Sequence, residues 1–111
     1  MNKQDILAKF KENKLKTKVI HIKSIDMDLT IRELTGNEYI EVSKDMTTNI
    51  YLNNMIMYSV IDEEGNRVFD NDEIIKSLNS VDYEYLASNV LVFNGINIEA
   101  KNKTKNLKIT N

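Results

Sequence analysis

Residues 58–69 read Tyr58-Ser59-Val60-Ile61-Asp62-Glu63-Glu64-Gly65-Asn66-Arg67-Val68-Phe69, and the chain runs on through Asp70 to Asn94-Gly95. An apolar segment ends at Ile61. The polar run Glu63-Glu64-Gly65-Asn66 follows as a turn, with Gly65 supplying positive φ if the turn needs it. One aromatic expected to be buried, Phe69, stands just before Asp70. Asp70 and Glu73 have the spacing of a reciprocal helix cap, and Phe69 and Ile74 that of a hydrophobic staple. These signals predict a helix over 71–79, with Ile74, Ile75 and Leu78 inward. A last helix is expected over 82–94, with Tyr83, Leu86, Ala87, Val90 and Phe93 in register. Gly95 suits the left-handed position just past its end.

Upstream, residues 49–61 read as another helix. Leu52, Met55, Ile56, Ser59 and Val60 fall at i, i+3, i+4, i+7 and i+8, a core stripe. Tyr51, Met57, Tyr58 and Ile61 lie off it, so the helix is apolar nearly all round and should be central. Thr35 and Glu38 have capping-box spacing for a helix reaching about Met46, with Tyr39, Val42 and Met46 on one face. Before that, Ile20 and Ile22 alternate with His21 and Lys23, and Leu29 and Ile31 with Thr30 and Arg32. Two half-buried strands joined by the turn Asp26-Met27-Asp28 follow, a β-hairpin. A lone hairpin is marginal in water and should pack on the helices. The expected fold is α+β: an N-terminal β-hairpin packed on a bundle of about four short helices.

The chain has 111 residues, enough for one domain with a modest core. That domain is expected over residues 1–95. Within it, 1–16 carry a weakly docked basic helix, with Ile6, Leu7 and Phe10 on one side and Lys3, Lys9, Lys11 and Lys14 outside. Residues 96–111 read as a basic tail, expected to be disordered because few apolar anchors offset its ordering entropy. No Cys is present, which excludes disulfides and thiolate metal sites. No apolar run approaches the ~18 residues of a membrane span, so neither a membrane nor a signal sequence enters the reading.

The net charge of −2 hides a partition. Residues 1–23 hold seven Lys against two acids. Residues 24–100 hold Arg32, Lys44, Arg67 and Lys76 against fifteen acids, and residues 101–111 hold four Lys. An acidic body between basic ends argues against nucleic acid as a partner, because phosphate binding needs a cationic face.

Nothing in the sequence assembles catalytic chemistry. His21 is the only histidine, and no motif supplies it with a nucleophile and an orienting acid. Asp26-Met27-Asp28 and Asp70-Asn71-Asp72-Glu73 fail the EF-hand pattern, since Ile31 and Ile75 stand where Gly is required. The first reads better as a hairpin turn, the second as a helix N-terminus with acids complementing the dipole. No Gly-rich phosphate loop exists. The expectation is a protein that is not an enzyme, with no catalytic residues, no metal and no cofactor. The candidate partner-binding residues are Tyr51, Met57 and Tyr58, apolar surface beyond what one core stripe needs; Met adapts to varied partners.

Residues 28–95, through Leu29-Thr30-Ile31-Arg32-Glu33-Leu34-Thr35-Gly36-Asn37-Glu38-Tyr39 and the block from Tyr58 to Gly95, resemble the tail assembly chaperones of long-tailed phages, above all those of Gram-positive hosts. The resemblance implies a small, acidic, non-enzymatic chaperone that binds and solubilises the tape-measure protein during tail assembly. Such a long helical client aggregates unless its apolar stripes are masked. It also implies contact with the tail tube protein, action in the host cytoplasm (from a phage or prophage) and absence from the mature virion; self-association is left open. The N-terminal basic helix and the tail after Gly95 have no counterpart in the family pattern. Two other classes remain: a structural tail-completion or neck protein, and a small DNA-binding regulator. The regulator would need Arg, Lys, Asn or Gln on a recognition helix, and the 71–79 helix offers one Lys while the 82–94 helix has neither Lys nor Arg.

Overall fold

The computed structural model describes residues 1–96; the tail from residue 97 onward lies outside the described residues. The fold is α+β. Its elements, in order, are α1 (Lys3–Glu12), β1 (Thr17–Ile22), a 3-10 turn (Lys23–Ile25), β2 (Met27–Arg32), α2 (Gly36–Ser43), α3 (Thr48–Ser59), β3 (Val60–Ile61), α4 (Glu73–Ser77) and α5 (Ser80–Phe93).

The strands form one antiparallel sheet in the order β1-β2-β3. Ile20 pairs with Leu29 and Lys18 with Ile31, while Val60 of β3 sits opposite Ile31. Because side chains alternate along a strand, this register puts Ile20, Ile22, Ile31 and Val60 on one face. All four are buried. That face meets α5, and α5 packs on α3. The core joins these residues to Val42, Tyr51, Met55, Ile56, Ile75, Leu86, Ala87, Val90 and Leu91. The helix that is apolar nearly all round is therefore central: α3 meets α2, α4, α5 and β3.

Two helix ends follow the sequence closely. Thr35 and Glu38 form the full capping box at the start of α2. At the end of α5, Gly95 adopts φ +77°. Its N–H donates to the Val92 carbonyl at 2.9 Å, and the Ile96 N–H donates to that of Leu91 at 2.9 Å. This is the Schellman pattern, with Ile96 folded back onto the core.

The structure differs from expectation in five places. Val60 and Ile61 are not the last turn of a helix but a third strand, because two β-branched residues at a helix end gain more by pairing with Thr30 and Ile31 on the open edge of β2. Asp70 does not cap a helix. The chain stays irregular to Asp72, whose own side chain makes no cap bond, and α4 is a single turn starting at Glu73. Ile74 is then turned to solvent at 63% exposure, so it forms no staple with Phe69, and the inner face rests on Ile75 and the half-buried Leu78. The last helix starts earlier than expected, at Ser80, because Asn79 caps it by accepting from the Asp82 N–H at 2.9 Å. The hairpin turns through a 3-10 turn ending at Asp26, φ +46°, while Met27 and Asp28 already belong to β2. Finally, α2 ends at Ser43 rather than near Met46, and Asp45 accepts the Thr47 N–H at 2.9 Å to turn the chain into α3.

Asn2 caps α1, yet α1 buries none of its residues. Elsewhere side chains tie the layers together. Ser59 Oγ donates to the Arg32 carbonyl at 2.6 Å. Asn94 Oδ1 accepts the Leu34 N–H at 2.7 Å, and Ser24 Oγ donates to Asp82 at 2.6 Å.

Candidate functional site

The polar centre of the molecule is built on Glu38. The capping box fixes this residue in the first turn of α2, and β2 ends just before it. Arg32, the last residue of β2, therefore meets the carboxylate with both guanidinium nitrogens, at 2.8 and 2.6 Å. Arg67, from the loop after β3, adds a third bond at 2.9 Å, and the Thr35 N–H a fourth at 2.9 Å. The Arg32 hydrogen bonds pull the Glu38 carboxyl down to about 2, with Thr35 and Arg67 acting in the same direction and burial opposing them. The same pair raises the Arg32 pKa. Arg67 also stacks over the Tyr58 ring, 3.9 Å from its centroid. One carboxylate thus joins β2, α2, the β3–α4 loop and, through Arg67, α3. Every partner is a structural cation or a backbone N–H, so the cluster locks the fold rather than poising a reactive group.

Of the three residues singled out from sequence, Tyr58 touches this lock. Tyr51 is 4% exposed and belongs to the core. Burial raises its hydroxyl pKa, and nearby Tyr39 adds to the effect. Met57 and Tyr58 are half-buried and pack against the core, Tyr58 beneath Arg67. Helical spacing from sequence could not assign Tyr51 to the core, because α2 covers the flank of α3 that lies off its main stripe.

Apolar surface lies open next door. Tyr39 and Ile40 of α2, Met46 of the α2–α3 turn and Ile50 of α3 are all substantially exposed. Of Tyr39, Val42 and Met46, expected on one face, only Val42 is buried, and Met46 lies beyond the end of α2 at Ser43. Ile50 and Met57, seven residues apart, share one face of α3. This rim of Tyr, Met and Ile is what a protein partner would meet. A helical plot alone would have placed Tyr39 and Met46 inside.

A shallow cleft beside it is lined by Asn49, Ile50, Asn53, Asp72, Lys76 and Tyr83. Its polar groups satisfy one another. The Tyr83 hydroxyl donates to Asn53 Oδ1 at 2.6 Å, Asn53 Nδ2 reaches Asp72 at 3.4 Å, and Lys76 pairs with Asp72 at 3.4 Å. His21, at the far tip of the hairpin, has its ring nitrogens against Asp28 at 2.7 Å and Asp26 at 3.3 Å. Among the described residues, no group of three or more His, Asp or Glu side chains is arranged to hold a metal ion, and no helix is long and apolar enough to cross a membrane.

No family model matches the chain, and no curated protein matches it. Among solved structures it is similar to the tail assembly chaperone of bacteriophage HK97, with a TM-score of 0.55 and 15% identity, over 81% of this chain and 94% of that one. The chain has a tail-assembly-chaperone-like fold.

Proposed function

We propose that this chain is a non-enzymatic chaperone of phage tail assembly that binds the tape-measure protein and keeps it soluble until the tail tube protein polymerises around it. The observation that carries the reading is the likeness in fold to a tail assembly chaperone across most of both chains. The surface fits the task. A client with long apolar stripes needs an apolar, adaptable rim, and Tyr39, Met46 and Ile50 offer one, with Met57 and Tyr58 beside it and Tyr51 supporting it from the core. The surrounding body is acidic, which keeps a coated client soluble and disfavours nucleic acid. In this reading the protein works in the host cytoplasm, needs no cofactor and is absent from the finished virion.

The test is co-expression with a phage tape-measure protein. The reading expects the client to move from the insoluble to the soluble fraction and to co-purify with this chain. A client that stays equally insoluble with and without it, and leaves no trace in the purified chain, overturns the reading.

A further inference from the structure

We propose that the cleft between α3, α4 and α5 is a subsite for an arginine side chain of the client, with the Asp72 carboxylate as its acceptor. The inference rests on the client reading above for the source of the guanidinium; the cleft itself is built by this chain alone. Asn49, Ile50 and Asn53 come from α3, Asp72 and Lys76 from the start and the turn of α4, and Tyr83 from α5. The space they line is about 380 Å³, ample for one long side chain. Ile50 also belongs to the exposed apolar rim, so the cleft opens directly beside the surface offered to the client.

Asp72 is placed for a cation rather than for its own helix. It stands just before α4, where an Asp ordinarily caps, yet its side chain makes no cap bond. Asn71 Oδ1 accepts the Glu73 N–H instead, at 3.0 Å. The Asp72 carboxylate lines the cleft, and among the described residues it meets two donors there. Asn53 Nδ2 and Lys76 Nζ both stand at 3.4 Å. Charged donors approach a tightly held carboxylate to about 2.7–2.9 Å, so both oxygens keep room for a closer partner. Asn53, only 6% exposed, links this carboxylate to Tyr83. The Tyr83 hydroxyl donates its proton to Asn53 Oδ1 at 2.6 Å, which leaves its oxygen able to accept.

Chemistry selects the occupant. Lys76, the one cation among the lining residues, has a side chain 62% exposed and can swing clear. Asp70 and Glu73 flank Asp72 in the chain, so an anion is disfavoured. A hard metal ion needs several oxygen ligands, and the cleft supplies one carboxylate. Arginine fits. Its planar fork can bond both Asp72 oxygens and has N–H groups left for the Tyr83 oxygen. Its apolar stem can lie along Ile50. A client helix with arginine beside its apolar stripe would seat the stripe on the rim and the arginine in the cleft.

NMR titration of the isotope-labelled full chain tests it with two synthetic helical peptides that carry the same leucine stripe. One has arginine beside the stripe. The other has citrulline, the same shape without the charge. The arginine peptide should shift the side-chain amide signals of Asn49 and Asn53. It should bind at least about fivefold tighter than the citrulline peptide, as a charge-assisted bond to a carboxylate implies. Asp72→Asn, which removes no cap bond, should keep the native thermal midpoint and bind both peptides alike. Lys76→Gln removes the internal competitor and should tighten the arginine peptide by about twofold to threefold, because an exposed pair is weak. The inference is overturned if the native chain binds both peptides alike or binds neither. It is equally overturned if Asp72→Asn loses its fold or keeps the preference for arginine, or if Lys76→Gln leaves the affinity unchanged or lower. Such a failure leaves the client reading standing, because that reading is decided by the solubility of the tape-measure protein, in which these peptides play no part.

Discussion

Replacing Glu38 should unlock the fold more than any other single charge change, and its effect should depend on pH in a defined window. The carboxylate and the Arg32 guanidinium are 17 and 16% exposed. The carboxyl pKa falls from 4.5 to about 2 in the folded chain. A shift of that size corresponds to about 3 kcal/mol, which the partly solvated setting reduces to roughly 1–3 kcal/mol. Glu38→Gln keeps an acceptor for the Thr35 N–H and loses this charge-dependent part. Glu38→Ala also leaves Arg32 without its anion and Thr35 without its reciprocal cap bond, for a total of roughly 2–4 kcal/mol. At about 4–8 °C per kcal/mol for a domain of this size, Glu38→Ala should lower the thermal midpoint by roughly 10–25 °C. Because the folded pKa is depressed, the stabilisation is complete above about pH 4.5 and disappears as pH falls toward about 2. Urea unfolding followed by circular dichroism, at neutral pH and in steps through that window, measures both quantities. The native chain should lose more stability across the window than Glu38→Gln does. If the two profiles superimpose, or if Glu38→Ala unfolds within about 0.5 kcal/mol of the native chain, the carboxylate is a solvated surface group and the lock does not exist.

Other outcomes follow from burial and backbone. Ile31, fully buried between β1, β3 and the helices, should cost about 2–5 kcal/mol when replaced by Ala, read as a shift in the urea midpoint with unchanged slope. Gly95→Ala should cost about 1 kcal/mol through its positive φ alone, since nothing lies within reach of an added methyl. Tyr51→Ser should destabilise the fold by roughly 3–5 kcal/mol, whereas Tyr39→Ser should leave the thermal midpoint within a degree or two. Midpoints in the reverse order would place the core on the wrong side of α3.

Much of the fold was legible because local signals and global packing agree along most of the chain. The alternation at Ile20, Ile22, Leu29 and Ile31 sets the inner face of the hairpin. Thr35 with Glu38, and Gly95 behind α5, give caps that the structure keeps atom for atom. What stayed hidden required knowledge of neighbours. Val60 and Ile61 continue the apolar period of α3, and only the open edge of β2 makes them a strand. Asp70 has the residue type and spacing of a cap, but it is Asn71 Oδ1 that accepts the Glu73 N–H, at 3.0 Å, and the helix starts only at Glu73. The site was less legible than the fold. Tyr51 looked surplus to one stripe because α2 was not yet placed against it, and Tyr39 and Met46 looked internal for the same reason. The role of Arg32 and Arg67 around Glu38 joins positions six and twenty-nine residues apart, a pairing that no local pattern announces.

In the proposed function, the chain recognises a tape-measure protein through the apolar rim of α2 and α3. Titration calorimetry of the purified native chain and of Tyr39→Ser/Met46→Ser against a soluble tape-measure fragment tests it most directly, because both residues are exposed and their loss should leave the fold intact. The account predicts saturable binding by the native chain and a loss of at least tenfold in affinity for the double variant, about 1.4 kcal/mol, as expected when anchoring side chains leave an interface. Equal affinity for both proteins would move the client surface elsewhere, and no binding by a fully folded native chain would contradict the claim itself.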